Sequence, residues 1–140
     1  MTEYAATLYG INNTLYRAGT PVNEPHALAR LRVIEDEYEF ASTTVGQTVA
    51  MGVPIPAGMQ LVGGFLYFDA LATSTTIAVG NDTDNDEYLA ATSTASAGGA
   101  YLNLIASMGE PFTTAEQVTV TLAGATATGT LKLVLFVAGY

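Results

Sequence analysis

The sequence predicts an all-β protein: a jelly-roll-like β-sandwich of about eight antiparallel strands, preceded by an extended N-terminal arm. Three observations predict it. Short apolar–polar alternations recur along most of the chain and are separated by Gly, Pro, Asn, Asp and Ser turns. Long charged side chains, which clothe helix surfaces, are scarce: charged residues make up 12% of the chain against 49% hydrophobic. The stretch Met59–Asp69 is a strand that is apolar on both faces, the pattern of a strand covered on both sides at the middle of a fold.

Residues 1–29 read as the arm and residues 30–140 as the sandwich domain. In the arm Gly10, Gly19, Pro21 and Pro25 break every period within a few residues. Tyr4, Leu8, Tyr9, Ile11, Leu15 and Tyr16 nevertheless make it too apolar for a solvated tail. Such a segment must bury its tyrosines against another surface, either its own domain or a neighbour. Asn23–Ala29 fits one helical turn, with Asn23 as the cap and Pro25 near the first position.

The strands follow. Leu31–Phe40 is the first, with Glu35, Asp36 and Glu37 implying one solvated face. A helix continuing from His26 competes with it, but Val33, Ile34, Tyr38 and Phe40 favour a strand. Val45–Met51 alternates Val45, Val49 and Met51 against Thr44, Thr48 and Ala50. A proline–glycine corner, Pro54–Gly58, launches Met59–Asp69. Met59, Leu61, Phe65 and Tyr67 are expected on one of its faces and Val62, Leu66 and Phe68 on the other. Gly63 and Gly64 inside it predict a bulge or a close backbone approach. After a turn at Thr73–Thr75, Ile77 and Val79 alternate with Thr76 and Ala78 in a half-buried partner strand. The acidic loop Asn81–Glu87 leads to a short strand, Tyr88–Thr92, and a glycine-containing loop, Ala95–Ala100. Tyr101–Ala106 is the next strand, with Leu102 and Leu104 on one side, and Gly109–Pro111 ends it. Gln117–Ala123 has the cleanest alternation, Val118, Val120 and Leu122 against Thr119 and Thr121. Past the turn at Gly124–Gly129, Thr130–Ala138 points Leu131, Leu133, Leu135 and Val137 inward.

Composition narrows the function classes. A chain of 140 residues is long enough to bury a real core as one domain. It has no cysteine, which excludes disulfides, thiolate zinc sites and cysteine nucleophiles. The start of the chain lacks the apolar run of a signal peptide, and no apolar run reaches membrane-spanning length. No membrane partner is expected. The net charge of −9 argues against nucleic acid as a partner. Three of the four basic residues, Arg17, Arg30 and Arg32, lie near the N-terminus with the sole histidine, His26. The segment at the start is thus near neutral and the body strongly acidic.

Catalytic patterns are missing. A triad needs a histidine between nucleophile and carboxylate, and His26 sits in the Pro-flanked arm without a rigid partner. No HExxH, Walker loop or GxGxxG occurs, and the carboxylates cluster on exposed runs, so an enzyme is not expected. Lys132 reads as an edge-strand charge that discourages sheet aggregation. Asp82, Asp84 and Asp86, with Asn81, Asn85 and Glu87, are a weak candidate for calcium. The EF-hand pattern fails, because Glu87 stands where its glycine belongs and Ser93 where its final glutamate belongs. A solvated acidic turn that satisfies its own backbone is the favoured reading, and no cofactor is expected.

Ile55–Gly58, Gly63-Gly64, Ile77–Gly80 and Glu87–Ala91 resemble segments of small structural proteins of tailed bacteriophages. Val118–Leu122, read as a hairpin that returns through Leu131–Val137, fits the same pattern. The resemblance covers roughly residues 30–138 and leaves the arm unmatched. It implies a virion β-sandwich of the capsid decoration (cement) type, made in the host cytoplasm. Such a protein binds the major capsid protein on the outside of the head, and itself, often as a trimer. A tail or fibre component is the alternative within the virion, and a carbohydrate-binding β-sandwich module is the alternative outside it. The charge split and the arm's apolar residues make Tyr4, Leu8, Tyr9, Tyr16, Arg17, Arg30 and Arg32 the candidate contacts to capsid or neighbouring subunit.

Overall fold

The computed structural model describes residues 30–105 and 110–139. The arm, its helical turn and its contact candidates Tyr4, Leu8, Tyr9, Tyr16 and Arg17 lie outside the described residues. Eight strands are present among those described: β1 (Arg30–Thr43), β2 (Thr48–Ala50), β3 (Gln60–Phe68), β4 (Thr76–Gly80), β5 (Leu89–Ser93), β6 (Gly98–Tyr101), β7 (Thr119–Ala123) and β8 (Ala127–Gly139). They form two four-stranded antiparallel sheets in the orders β1-β8-β3-β6 and β2-β7-β4-β5. This is the double Greek-key order of a jelly roll.

The strands alternate because each sheet buries one face. Leu131, Leu133, Leu135 and Val137 of β8 all turn inward and are buried. Leu61, Leu66 and Phe68 of β3 and Phe40 of β1 join them. The second sheet answers with Ile77, Val79, Val120 and Leu122, and Met51, Ile55 and Tyr88 close the core. β8 lies between β1 and β3, paired with both along most of its length.

Only one pair of consecutive strands, β4 and β5, shares a sheet; every other connection crosses the sandwich. Two readings from sequence fail for that reason. The strand at Ile77 is not the partner of Met59–Asp69, and Val118–Leu122 makes no hairpin with Leu131–Val137. Alternation sets which way a side chain points, and crossed connections set which strand lies beside it.

The strand at Met59–Asp69 is interior to its sheet and, among the described residues, covered on one face only. β8 advances one residue, from Val137 to Phe136, while β3 advances two, from Leu61 to Gly63. The extra residue, Val62, is a bulge, as the glycine pair predicts. It reverses the phase of the strand. Leu61 points inward before it, and Gly64, Leu66 and Phe68 point inward after it. Phe65 and Tyr67 therefore face outward instead of sharing a face with Leu61.

Other differences have local causes. β6 begins inside the predicted loop, since Gly98 and Gly99 pair with Phe68 and Tyr67. Aromatic rings lie against these glycines, 3.5 Å and 3.3 Å from where a methyl group would stand, and supply the contacts that glycine lacks. The chain leaves the strand at Leu102, whose amide donates to the carbonyl of Gly64 at 3.0 Å. Asn103 N–H then reaches across to Tyr88 O at 2.7 Å. β2 is shorter than Val45–Met51 because Gly46 adopts φ +84° and turns the chain. Lys132 stands on an interior strand rather than an edge; its ammonium meets Glu35 of β1 at 3.4 Å.

The two glycines of the bulge are unequal. A methyl group at Gly64 would stand 2.7 Å from Leu102 Cδ1 and 2.8 Å from the carbonyl oxygen of Val134. At Gly63 it would meet only the Phe136 ring, at 3.4 Å. Urea unfolding of the two single variants should separate them. Gly64→Ala is expected to cost about 1–3 kcal/mol from overpacking, and Gly63→Ala to stay within about 1 kcal/mol. Equal costs would place the constraint in the doublet's flexibility instead. Leu133→Ala, at the buried centre of β8, is expected to cost about 2–5 kcal/mol in the same measurement.

Candidate functional site

The β1-β8-β3-β6 sheet turns one face to the core and the other to solvent, and the outer face divides along the strand direction. Reading across its rungs, Leu31 stands beside Ala138 and Gln60, and Val33 beside Phe136 and Gly63. The next rung is Glu35, Val134, Phe65 and Tyr101, and the one after is Glu37, Lys132, Tyr67 and Gly99. The last is Glu39 beside Thr130, whose amide donates to the Asp69 carboxylate at 3.0 Å. One end of the face is apolar and aromatic, and the other is charged.

The aromatic end is a built cluster. Phe65 lies at its centre, with ring centroids at 4.2 Å from Tyr101, 6.0 Å from Tyr67 and 6.0 Å edge-on from Phe136. These are favourable offset and edge geometries. Tyr101 is nevertheless 74% exposed, Tyr67 50%, Leu31 64% and Val33 56%. A contiguous apolar surface of this kind marks an interaction site. Sequence reasoning missed it by assigning Phe65 and Tyr67 to a doubly covered strand. The signal that could have found it is the glycine pair, read as a phase reversal rather than only a bulge.

Two openings adjoin this face. A shallow groove of about 420 Å³ runs beside its charged end, between Tyr67, Asp69, Gly98, Thr130 and Lys132. A narrower cleft of about 230 Å³ opens where β1 begins, lined by Ile34, Val53, Pro54, Ile55, Met59 and Val137, with Arg32 beside it. Arg30 and Arg32 thus stand at the head of β1, where the chain enters the sheet. These are the contact candidates that the described residues include.

The acidic loop is organised by its own backbone. Asn81 Oδ1 accepts from the amides of Thr83 and Asp84 at 2.9 and 2.8 Å, and Asn81 N–H donates to Asp84 O at 2.8 Å. Asp86 N–H donates to Asp84 Oδ1 at 3.3 Å. A hydrogen bond to the Asp84 side chain, and then its negative charge, raise the Asp86 carboxyl above its ordinary range. Gly80 lets the loop close, because a side chain there would collide with the Asp84 carbonyl. Asp82, Asp84 and Asp86 lie in exposed turns. Among the described residues no group of three or more His, Cys, Asp or Glu side chains is placed to hold a metal ion. No helix among them is long and apolar enough to cross a membrane.

Tyr88 anchors the loop to the core. Its hydroxyl donates to Glu116 Oε1 at 2.7 Å. Glu116 in turn exchanges both backbone hydrogen bonds with Ile55, each at 2.8 Å. Burial first, and then the hydrogen bond to Glu116, raise the Tyr88 phenol well above the ordinary tyrosine range.

No sequence-family profile matches the chain, and no curated protein matches it by sequence. Its fold is shared with solved phage capsid chains. Against a chain of the cyanophage Pam1 capsid asymmetric unit the TM-score is 0.68 at 20% identity, over 88% of this chain and 96% of that one. A chain of the Ralstonia phage GP4 capsid gives 0.65 at 19% identity, over 86% and 90%. A chain of the Helicobacter pylori bacteriophage KHP30 capsid gives 0.58 at 15%, over 81% and 94%. The chain resembles these virion proteins along most of its length, and at such identities what is shared is the fold.

The Tyr88 site makes a pH prediction with a definite sign. The phenol is harder to ionise in the folded protein than in the unfolded chain, where it titrates near about 10. The folded state therefore holds its proton where the unfolded state loses it. This contribution is complete below about pH 10 and is lost as pH rises beyond it. Tyr88→Phe should lower stability at neutral pH by roughly 1–3 kcal/mol, since a charge-assisted hydrogen bond is removed. It should also flatten the alkaline decline expected in thermal melts from pH 8 to 11. An unchanged decline would assign it to other tyrosines.

Proposed function

We propose that this chain is a non-enzymatic structural protein of a phage virion, a decoration (cement) protein that binds the outer surface of the head and stabilises it. In this reading it acts as a homo-oligomer, a trimer, bound to the major capsid protein, and it requires no metal or cofactor. The observation that carries the reading is the jelly roll itself, shared along most of its length with chains of three phage capsids. The exposed aromatic face of the β1-β8-β3-β6 sheet supports it, because a scaffold that works by contact needs a surface and no pocket chemistry.

The contacts assigned to shell or neighbouring subunit are Tyr4, Leu8, Tyr9, Tyr16 and Arg17 in an arm of residues 1–29, with Arg30 and Arg32 at the head of β1. Exposed charge pairs from the arginines to an acidic body contribute only about 0–1 kcal/mol each. Apolar burial at about 25 cal/mol per Å² must supply most of the affinity, so the tyrosines and Leu8 matter more than the arginines.

Quantitative mass spectrometry of purified particles tests the assignment. Copies in a simple ratio to the major capsid protein are expected for a shell protein. A handful per particle would move the chain to tail or fibre, and absence from the particle would remove the virion reading. Deleting residues 2–22 should lower occupancy on the head; unchanged occupancy and unchanged melting of the oligomer would remove the arm from the contact.

A further inference from the structure

We propose that the aromatic outer face of the β1-β8-β3-β6 sheet is the seat of residues 1–29 supplied by a neighbouring copy of this chain. The inference rests on the reading that the protein assembles with itself, and it names the surface on which the arm lands.

Four features select this occupant. The face is apolar where Phe65, Tyr67, Tyr101 and Phe136 cluster and where Leu31 and Val33 stand on the adjoining rungs of β1, and much of it is exposed. Residues 1–29 carry the matching chemistry, with Tyr4, Leu8, Tyr9, Ile11, Leu15 and Tyr16 and no apolar period from which to build a core of their own. Charge fits as well. The aromatic cluster is bordered on β1 by Glu35, Glu37 and Glu39, all exposed, and Arg17 directly follows Tyr16. A segment that lays Tyr16 against the rings brings its one arginine to the acidic column.

The fourth feature is where the segment joins the sandwich. It joins the sandwich at Arg30, the first residue of an edge strand. Twenty-nine residues span up to roughly 95 Å when extended, far more than the roughly 15 Å across four strands. The arm of one copy therefore has ample length to cross the face of the next. Exchange of this kind around a closed ring satisfies every copy with one contact type.

The chain has no cysteine, so engineered thiols report the contact cleanly. One full-length variant carries Tyr16→Cys and a second carries Tyr101→Cys, the latter at an exposed position whose truncation spares the core. The two are co-assembled and oxidised, and the products are separated on a non-reducing gel. The expected result is a disulfide-linked heterodimer, formed at least about tenfold more efficiently than with Ala91→Cys, an exposed position on the opposite sheet. A single chain carrying both Tyr16→Cys and Tyr101→Cys should form linked ladders.

A fast-migrating, internally closed monomer from that double variant would overturn the exchange, because the arm would then cover its own sheet. Yields no higher than the Ala91→Cys control would remove the arm from the face altogether. These readouts are independent of the copy count in particles. A strong link in a protein absent from virions keeps this inference and sinks the decoration role, and a shell-ratio copy number without the link does the reverse.

Discussion

The close approach at Gly64 is the constraint on which the outer surface depends. Leu102 and the Val134 carbonyl come so near the β3 backbone there that no side chain fits. One extra residue, Val62, lies just before that contact, and the insertion inverts everything downstream. Leu66 and Phe68 enter the core, and Phe65 and Tyr67 leave it. Without the bulge, Phe65 and Tyr67 would share the inner face with Leu61, and Leu66 and Phe68 would take the outer one. One inserted residue thus decides which pair of rings stands on the outer face. Leu102, whose side chain lies over Gly64, also donates its amide to the Gly64 carbonyl as the chain leaves β6.

Much of the architecture is legible without coordinates. The leucine alternation of Leu131–Val137, the threonine–valine alternation of Val118–Leu122 and the turn residues between strands lead directly to a sandwich. Those patterns report orientation, which is a property of one strand. Pairing depends on two. The connections β3–β4 and β7–β8 cross from sheet to sheet, and nothing local in Thr73–Thr75 or Gly124–Gly129 distinguishes a crossing turn from a hairpin turn. Gly98 and Gly99 failed for a related reason. Their strand character comes from the Phe68 and Tyr67 rings opposite, partners some thirty residues away in sequence.

The candidate site was less legible than the fold. The acidic loop reads in sequence as a row of oxygen ligands, yet in the structure Asn81 and the Asp84 carboxylate serve the loop's own amides. Short polar side chains next to backbone donors commonly satisfy them first. The aromatic cluster drew no attention, because Phe65 and Tyr67 resemble core residues by type. Only the register of β3 against β8 shows that they are surface. Residue type predicts burial on average, and an exposed cluster of buried types is the informative departure from that average.

Position within the sheet also explains why Lys132 is tolerated in so apolar a strand. It occupies an outward rung of β8, opposite Glu37 and within 3.4 Å of Glu35, at the junction between the aromatic and charged halves of the face. The half-exposed pair contributes little to stability. Its position would matter for the registry of anything docked on this sheet, which would meet rings on one side of Lys132 and carboxylates on the other. An apolar strip alone would let a docked segment slide along it by two residues at little cost. A boundary between apolar and charged surface penalises that slip, because it would bury carboxylates against rings. The division of the face would therefore favour one alignment of a segment docked there.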